Sequence, residues 1–167
     1  MKKNVLYILT GRPFVGKSTL RRKLVERFGF SVASVDWEIN NYGMRVAEMT
    51  QEDWNLVYSK AYEKLEKLLK EGKTVVLDLA NLKKSERDTA RDIANKFNVS
   101  YKLIYVNTSL NEVTKRWKSN QKKLDGRKMD KSVFERGQKM FEEISLDENP
   151  VLFNSKMNFE EWIKENI

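Results

Sequence analysis

The sequence predicts an α/β domain with a mostly parallel sheet. Short apolar runs alternate with amphipathic helical patterns along the whole chain, and the first run, "VLYILT" (Val5 to Thr10), is apolar almost without a break. A strand covered on both faces reads this way, and strands separated by helices pair in parallel.

Each element has its own reason. The helix after the first strand shows Leu20, Leu24 and Phe28 at a spacing of four and is ended by Gly29. "SVASV" (Ser31 to Val35) reads as a second short strand ending at Asp36. From Gln51 to Glu71 the apolar positions Trp54, Val57, Tyr58, Ala61, Tyr62, Leu65, Leu68 and Leu69 form a helical stripe, introduced by Thr50 and Asp53 as a capping box. "TVVLDL" (Thr74 to Leu79) is a third strand, and Ala90, Ile93, Ala94 and Phe97 mark the helix behind it. "YKLIYV" (Tyr101 to Val106) is a fourth strand, and Ser109 with Glu112 caps the helix that runs into the polar "SNQKKLDGRKMD". Val133, Phe134, Gly137, Met140 and Phe141 mark another helix, and "PVLF" and "NFEEWIKENI" supply a last strand and helix. No repeat, low-complexity tract or linker interrupts the pattern, so residues 1–167 read as a single domain.

Composition bounds the chemistry. With 40% hydrophobic and 34% charged residues and no apolar run near the ~18 residues that span a membrane, the sequence reads as a soluble globule. The apolar run near the start is too short for a secretory signal, and the chain has no cysteine, so a cytoplasmic location without disulfides or thiolate metal sites is expected. It has no histidine either, so any general base must be a carboxylate, a lysine or a tyrosine. The net charge is +8, and ten Lys/Arg against four Asp/Glu between Asn111 and Met140 leave +6 in that segment. Such a cluster either attracts a polyanion or forms a solvated helical surface.

The stretch "GRPFVGKST" carries the most specific signal. Gly11-x-x-x-x-Gly16-Lys17-Ser18 is the full phosphate-loop (Walker A) spacing, set between a buried strand and a helix. Its glycines let the backbone of Gly11, Arg12, Pro13, Phe14, Val15 and Gly16 wrap a polyphosphate, and the helix N-terminus at Lys17, Ser18 and Thr19 adds partial positive charge. Lys17 would reach the β- and γ-phosphates and the Ser18 hydroxyl would ligate magnesium. A tight strand-to-helix turn with a solubilising lysine is the alternative, and the spacing, the context and Thr19 argue against it.

Asp36 and Asp78 each end a predicted strand, where ligands bind in open α/β sheets. In a protein without histidine, Asp36 is the natural acceptor for a hydroxyl proton, though Asp also terminates turns. Glu38 ranks behind it. Trp37 and Tyr42 either stack on a planar substrate or pack into core or lid; Trp54 and Tyr58, on the apolar stripe, are core.

"GRPFVGKST", "VDWEIN", "VVLDLANLKKSERDTAR", "VNTSLNEVTKRW" and "DKSVFERGQKMFEE" fall in the order seen in small P-loop kinases. The chain resembles the predicted kinases related to polynucleotide 5′-kinases, chloramphenicol phosphotransferase and zeta toxins, over nearly its whole length. The resemblance implies a three-layer P-loop NTPase fold, a five-stranded parallel sheet in the order 2-3-1-4-5 and a helical lid at about 116–130. It implies that Asp36 is the catalytic aspartate and that Asp78 either holds magnesium or works with Asn81 to orient the acceptor. Arg87 matches a recurrent family arginine, with a surface salt bridge as the other reading, and Arg116 matches the first lid arginine. Two positions depart from the family. Asn120 stands where a second lid arginine is usual, leaving Lys122, Lys123 or Arg127 to substitute, and Ile39 stands where polynucleotide kinases carry an arginine.

These readings converge on an ATP- and Mg2+-dependent kinase that moves a γ-phosphoryl group to a hydroxyl acceptor. Lys17, Asp36 and Arg116 are the catalytic candidates, Gly11 to Thr19 with Arg116 the nucleotide site, and Ser18 and Asp78 the metal site. Adenine is expected near Asn154, stacked by Arg116. The acceptor is a small molecule or a nucleic-acid end; a nucleotide-type acceptor is disfavoured because Glu38 to Ala47 offers only Arg45 to grip a phosphate. A monomer or dimer without a membrane partner is expected. A nucleotide-binding ATPase or switch without transfer is the alternative, and the lack of a guanine-reading N-K-x-D motif favours ATP.

Overall fold

In the computed structural model, which describes residues 4–122 and 128–167, five parallel strands form one sheet. They are β1 (Val5–Thr10), β2 (Ser31–Ser34), β3 (Val75–Asp78), β4 (Ser100–Val106) and β5 (Val151–Phe153). Their order is β2-β3-β1-β4-β5, as the family resemblance implies. The helices are α1 (Lys17–Phe28), α2 (Val35–Asn41), α3 (Gln51–Lys70), α4 (Lys84–Lys96), α5 (Leu110–Asn120), α6 (Lys131–Met140) and α7 (Phe159–Asn166). Among the described residues no helix is long and apolar enough to cross a membrane.

The period of two along β1 divides the core into two layers. Leu6 and Ile8 pack with Val57, Ala61, Leu65 and Leu69 of α3 and with Ala90 and Ala94 of α4. Tyr7 and Leu9 face the other way, onto Leu20 and Leu24 of α1, Val113 of α5, Phe134 of α6 and Trp162 of α7. Both faces of the sheet are covered, which is why β1 is apolar throughout. The Thr50–Asp53 capping box of α3 forms as expected: Asp53 N–H donates to Thr50 Oγ1 at 3.2 Å and Thr50 N–H to Asp53 Oδ2 at 2.8 Å.

Three expectations are corrected. Strand β2 stops at Ser34, and "VDWEINN" is a seven-residue helix, so Asp36 lies in the first turn of α2. Trp37, read as stacking on a planar substrate or packing into core or lid, is not core: it is 54% exposed, with Lys64 Nζ 3.9 Å above its ring. Arg87 is fully buried and makes a two-pronged ion pair with Glu148, Nε to Oε2 at 2.7 Å and Nη2 to Oε1 at 2.9 Å. This is a buried ion pair rather than a surface salt bridge.

The Arg87–Glu148 pair ties the segment between α6 and β5 onto α4, and Arg91 adds a further contact to Glu148 Oε2. Burial pushes the Glu148 carboxyl up, but the hydrogen bonds from Arg87, the Ser145 backbone and Arg91 outweigh it and hold it at about 2. A depressed carboxylate contributes stability above its unfolded value, and that contribution is lost as pH falls from about 4.5 towards about 2. Arg87→Leu leaves Glu148 buried with only Arg91 against it and should cost ~3–5 kcal/mol in urea unfolding at neutral pH. Arg87→Leu combined with Glu148→Leu should recover most of that loss, whereas an Arg87→Leu variant of wild-type stability would contradict the account.

Candidate nucleotide and phosphoryl-transfer site

The loop from Gly11 to Gly16 leaves the C-terminal end of β1, the central strand, and enters α1. A Cβ on Gly11 would lie 2.3 Å from the Val106 carbonyl oxygen, and its φ of 144° suits only glycine. The loop carbonyls are held from outside. Pro13 O accepts from Gln138 Nε2 at 3.4 Å, Phe14 O from Arg116 Nη1 at 3.1 Å, and Val15 O from Thr108 Oγ1 at 3.0 Å and Arg116 Nη1 at 3.1 Å. In a trans peptide the N–H points opposite to its carbonyl, so the Phe14 and Gly16 N–H groups turn towards the loop's interior. Helix α6 comes close enough to help because Gly137 lies flat on Pro13, where a Cβ would meet Pro13 Cγ at 2.6 Å.

Lys17 folds into this loop. Its Nζ donates to Gly11 O at 2.6 Å and Arg12 O at 3.0 Å. Burial pushes its ammonium down to about 8, against the opposing pull of Asp78 and Asp36. Ser18 Oγ lies 3.5 Å from Asp78 Oδ2, at the end of β3. Burial raises the Asp78 carboxyl, while Lys17 and Arg21 pull it down. Asp78 is buried, its charge paired by Arg21 Nη1 at 3.2 Å. Sequence reasoning missed Arg21, which sits one turn past Lys17 among other basic residues and has no motif of its own. Among the described residues no cluster of three or more carboxylates could hold a metal, so a divalent ion here would rely on Ser18, Asp78 and the phosphates of a bound ligand.

Asp36 is exposed on α2, feels the charges of Lys17 and Asp78, and makes no hydrogen bond or ion pair among the described residues. Glu38 is buried on the same helix, and Ile39 is part of the core. The Asn81 amide is buried and donates Nδ2 to Leu9 O at 2.8 Å, bracing the end of β1 rather than facing an acceptor. Tyr58, also read as core, is partly buried and donates its hydroxyl to Leu79 O at 3.2 Å.

On the other side of the loop, Arg116 reaches Glu112 through Nε at 3.0 Å and Ser155 Oγ through Nη2 at 3.2 Å. Beside it a cleft of about 730 Å³ opens between α5 and the end of β5, lined by Thr108, Asn111, Lys115, Lys118, Asn154 and Ser155 among others. Trp117 stacks on Phe134 with centroids 5.0 Å apart, and buried Asn120 accepts from Met129 N–H at 2.9 Å through Oδ1. The residue in place of the second lid arginine is thus a structural clamp. Of the cations considered as its substitute, Lys122 is at the end of the described stretch, and Lys123 and Arg127 lie outside the described residues.

The sheet order and this loop define a P-loop kinase fold. A family model described as an AAA domain matches residues 6–144, and the chain belongs to that family. The fold is similar to that of Chaetomium thermophilum Kti12 in complex with ADP-AlF3, with a TM-score of 0.74 and 17% identity over 95% of this chain and 94% of that one. It is similar to a gluconokinase from Sinorhizobium meliloti 1021, with a TM-score of 0.64 and 17% identity over 98% and 89%. It is also similar to a chain of the Pnkp1/Rnl/Hen1 RNA repair complex, with a TM-score of 0.66 and 17% identity over 95% of this chain and 48% of that one. No curated protein sequence matches.

The lowered value of Lys17 makes a prediction. The folded state disfavours its charged form, so the cost is full below about pH 8 and fades as pH rises towards 10.5. Without nucleotide, Lys17→Met should be at least as stable as wild type at neutral pH, and wild type should gain on it between pH 8 and 10.5 in thermal unfolding. A variant that melts well below wild type at every pH would show that Lys17 serves the fold rather than a ligand.

Proposed function

We propose that the chain is an ATP-dependent kinase that transfers the γ-phosphoryl group to a hydroxyl acceptor. The observation that carries this reading is the loop itself: the carbonyls of Pro13, Phe14 and Val15 are held from outside, the Phe14 and Gly16 amides turn inward, and Lys17 sits at its centre on the Gly11 and Arg12 carbonyls. An anionic polyphosphate answers all three features. Lys17 exchanges two carbonyl hydrogen bonds for phosphate oxygens. Ser18 and Asp78 would hold magnesium, which when bound neutralises phosphate charge. The cleft beside Arg116 and Ser155 suits the base and ribose. Residues 1–167 would act as one unit, with the segment about 116–130 as the lid, of which residues 123–127 lie outside the described residues.

Asp36 faces the acceptor. Its exposed carboxylate is free to take the proton of an incoming hydroxyl while the phosphoryl group leaves the nucleotide diphosphate. Nothing at Ile39 grips a terminal phosphate, and Arg45 is turned to Glu48 at 3.5 Å, so the reading favours a small hydroxyl compound over a nucleic-acid end. Trp37 and Tyr42, both exposed, are available to a planar acceptor.

The test is to incubate the protein with γ-labelled ATP, magnesium and separate pools of sugars, nucleosides, antibiotics, oligonucleotides and peptides. Label on one pool is the expected result. Asp36→Asn should then lower transfer ~10²–10⁴-fold at saturating ATP with nucleotide affinity unchanged, and Glu38→Gln far less. ATP binding without transfer to any pool would favour a nucleotide switch, and wild-type transfer by Asp36→Asn would remove Asp36 from the reaction.

A further inference from the structure

Arg21 occupies the point where three elements meet. It lies one helical turn beyond Lys17 on α1, and its side chain is mostly buried. A single guanidinium nitrogen, Nη1, reaches both Asp78 Oδ2 at 3.2 Å and Ser34 Oγ at 3.0 Å. Asp78 is the last residue of β3 and Ser34 the last of β2. Ser34 is also the N-cap residue of α2, two positions before Asp36, yet its side chain makes no cap hydrogen bond. Its hydroxyl accepts from Arg21 instead of from the helix amides that an N-cap serine ordinarily serves.

The charges explain why a second cation is needed. Two cations, Lys17 and Arg21, counter the buried Asp78 carboxylate. In the proposed reaction Lys17 turns to the polyphosphate, and its charge is then shared with phosphate oxygens. Arg21 is the cation that stays. It holds Oδ2, the oxygen that also faces Ser18, and among the described residues Oδ1 accepts no hydrogen bond. Arginine suits this place because its planar guanidinium keeps a fixed direction, whereas a lysine ammonium swings on a flexible stem.

We infer that Arg21 is a positioning residue: it keeps the Asp78 carboxylate aimed at the Ser18 hydroxyl and locks the start of the Asp36-bearing helix to the same point. The inference rests on the kinase reading, in which Ser18 and Asp78 face magnesium. One side chain thus sets the register between the metal side and the acceptor side of the site.

The test is calorimetric titration of ADP, with magnesium and with EDTA, into wild type, Arg21→Met, Arg21→Lys and Asp78→Asn, with circular dichroism to establish folding. Wild type should bind ADP more tightly with magnesium. Arg21→Met should lose ~10–100-fold of that magnesium-dependent gain, the usual effect of removing a group that orients a ligating carboxylate, while its affinity in EDTA changes little. Arg21→Lys should retain part of the gain, and it carries the comparison if Arg21→Met does not fold. In the Asp78→Asn background, Arg21→Met should cost nothing further, because the two act as one unit. An Arg21→Met variant with the full gain, an Arg21→Lys variant with the full gain where Arg21→Met is unfolded, or an additive loss in the Asp78→Asn background, would overturn the role of Arg21 alone. A wild-type protein whose ADP affinity ignores magnesium would overturn the kinase reading with it.

Discussion

The site depends on how the peptide groups between Gly11 and Gly16 are satisfied. Three carbonyls on the outside of the loop are held by Gln138, Thr108 and Arg116, which come from α6, the turn after β4, and α5. Those donors are distant in sequence, so the loop's shape is a product of the whole tertiary fold rather than of its own six residues. Gly11 must pass under the Val106 carbonyl and Gly137 must lie on Pro13 for the donors to arrive. With these three carbonyls taken, the Phe14 and Gly16 amides turn inward and add positive potential beside Lys17 before any ligand is present.

The electrostatics of the floor follow the same logic. Lys17 and Arg21, both on α1, stand against Asp78 at the end of β3 and Asp36 in the first turn of α2. Burial disfavours the charged form of both Lys17 and Asp78, and the opposite charges around each oppose that shift. Such a balance is sensitive to added charge: a polyanion draws Lys17 away from its carbonyls, and a cation then has reason to settle between Ser18 and Asp78.

Much of this was legible in the sequence, for identifiable reasons. The spacing of Gly11, Gly16, Lys17 and Ser18 encodes a backbone path, and a backbone path needs particular residues at particular intervals. The core stripe of α3 and the layers of β1 were legible because periodicity maps directly onto burial. What escaped was long-range pairing. Nothing in "RRKL" distinguishes Arg21 from Arg22, yet one holds Asp78 and the other pairs loosely with Glu26 at 3.9 Å. Arg87 and Glu148 are 61 residues apart, so their ion pair has no local signature. Val35, the first residue of α2, reads as the end of a strand because it continues the apolar alternation of "SVASV", and seven residues give too few turns to show a helical period. Trp37 could be read as stacking or as packing because hydrophobicity predicts burial only on average, and here Lys64 covers one face of an otherwise exposed ring.

The central claim is that the loop recognises a polyphosphate through its amides and Lys17. The most direct measurement is a calorimetric comparison of ATP, ADP, inorganic tripolyphosphate and adenosine, each titrated into wild type and Lys17→Ala. The account predicts that the three polyphosphates bind wild type, that adenosine does not bind measurably, and that Lys17→Ala loses affinity for all three. Adenosine binding as tightly as ATP, or tripolyphosphate binding that ignores the loss of Lys17, would contradict it.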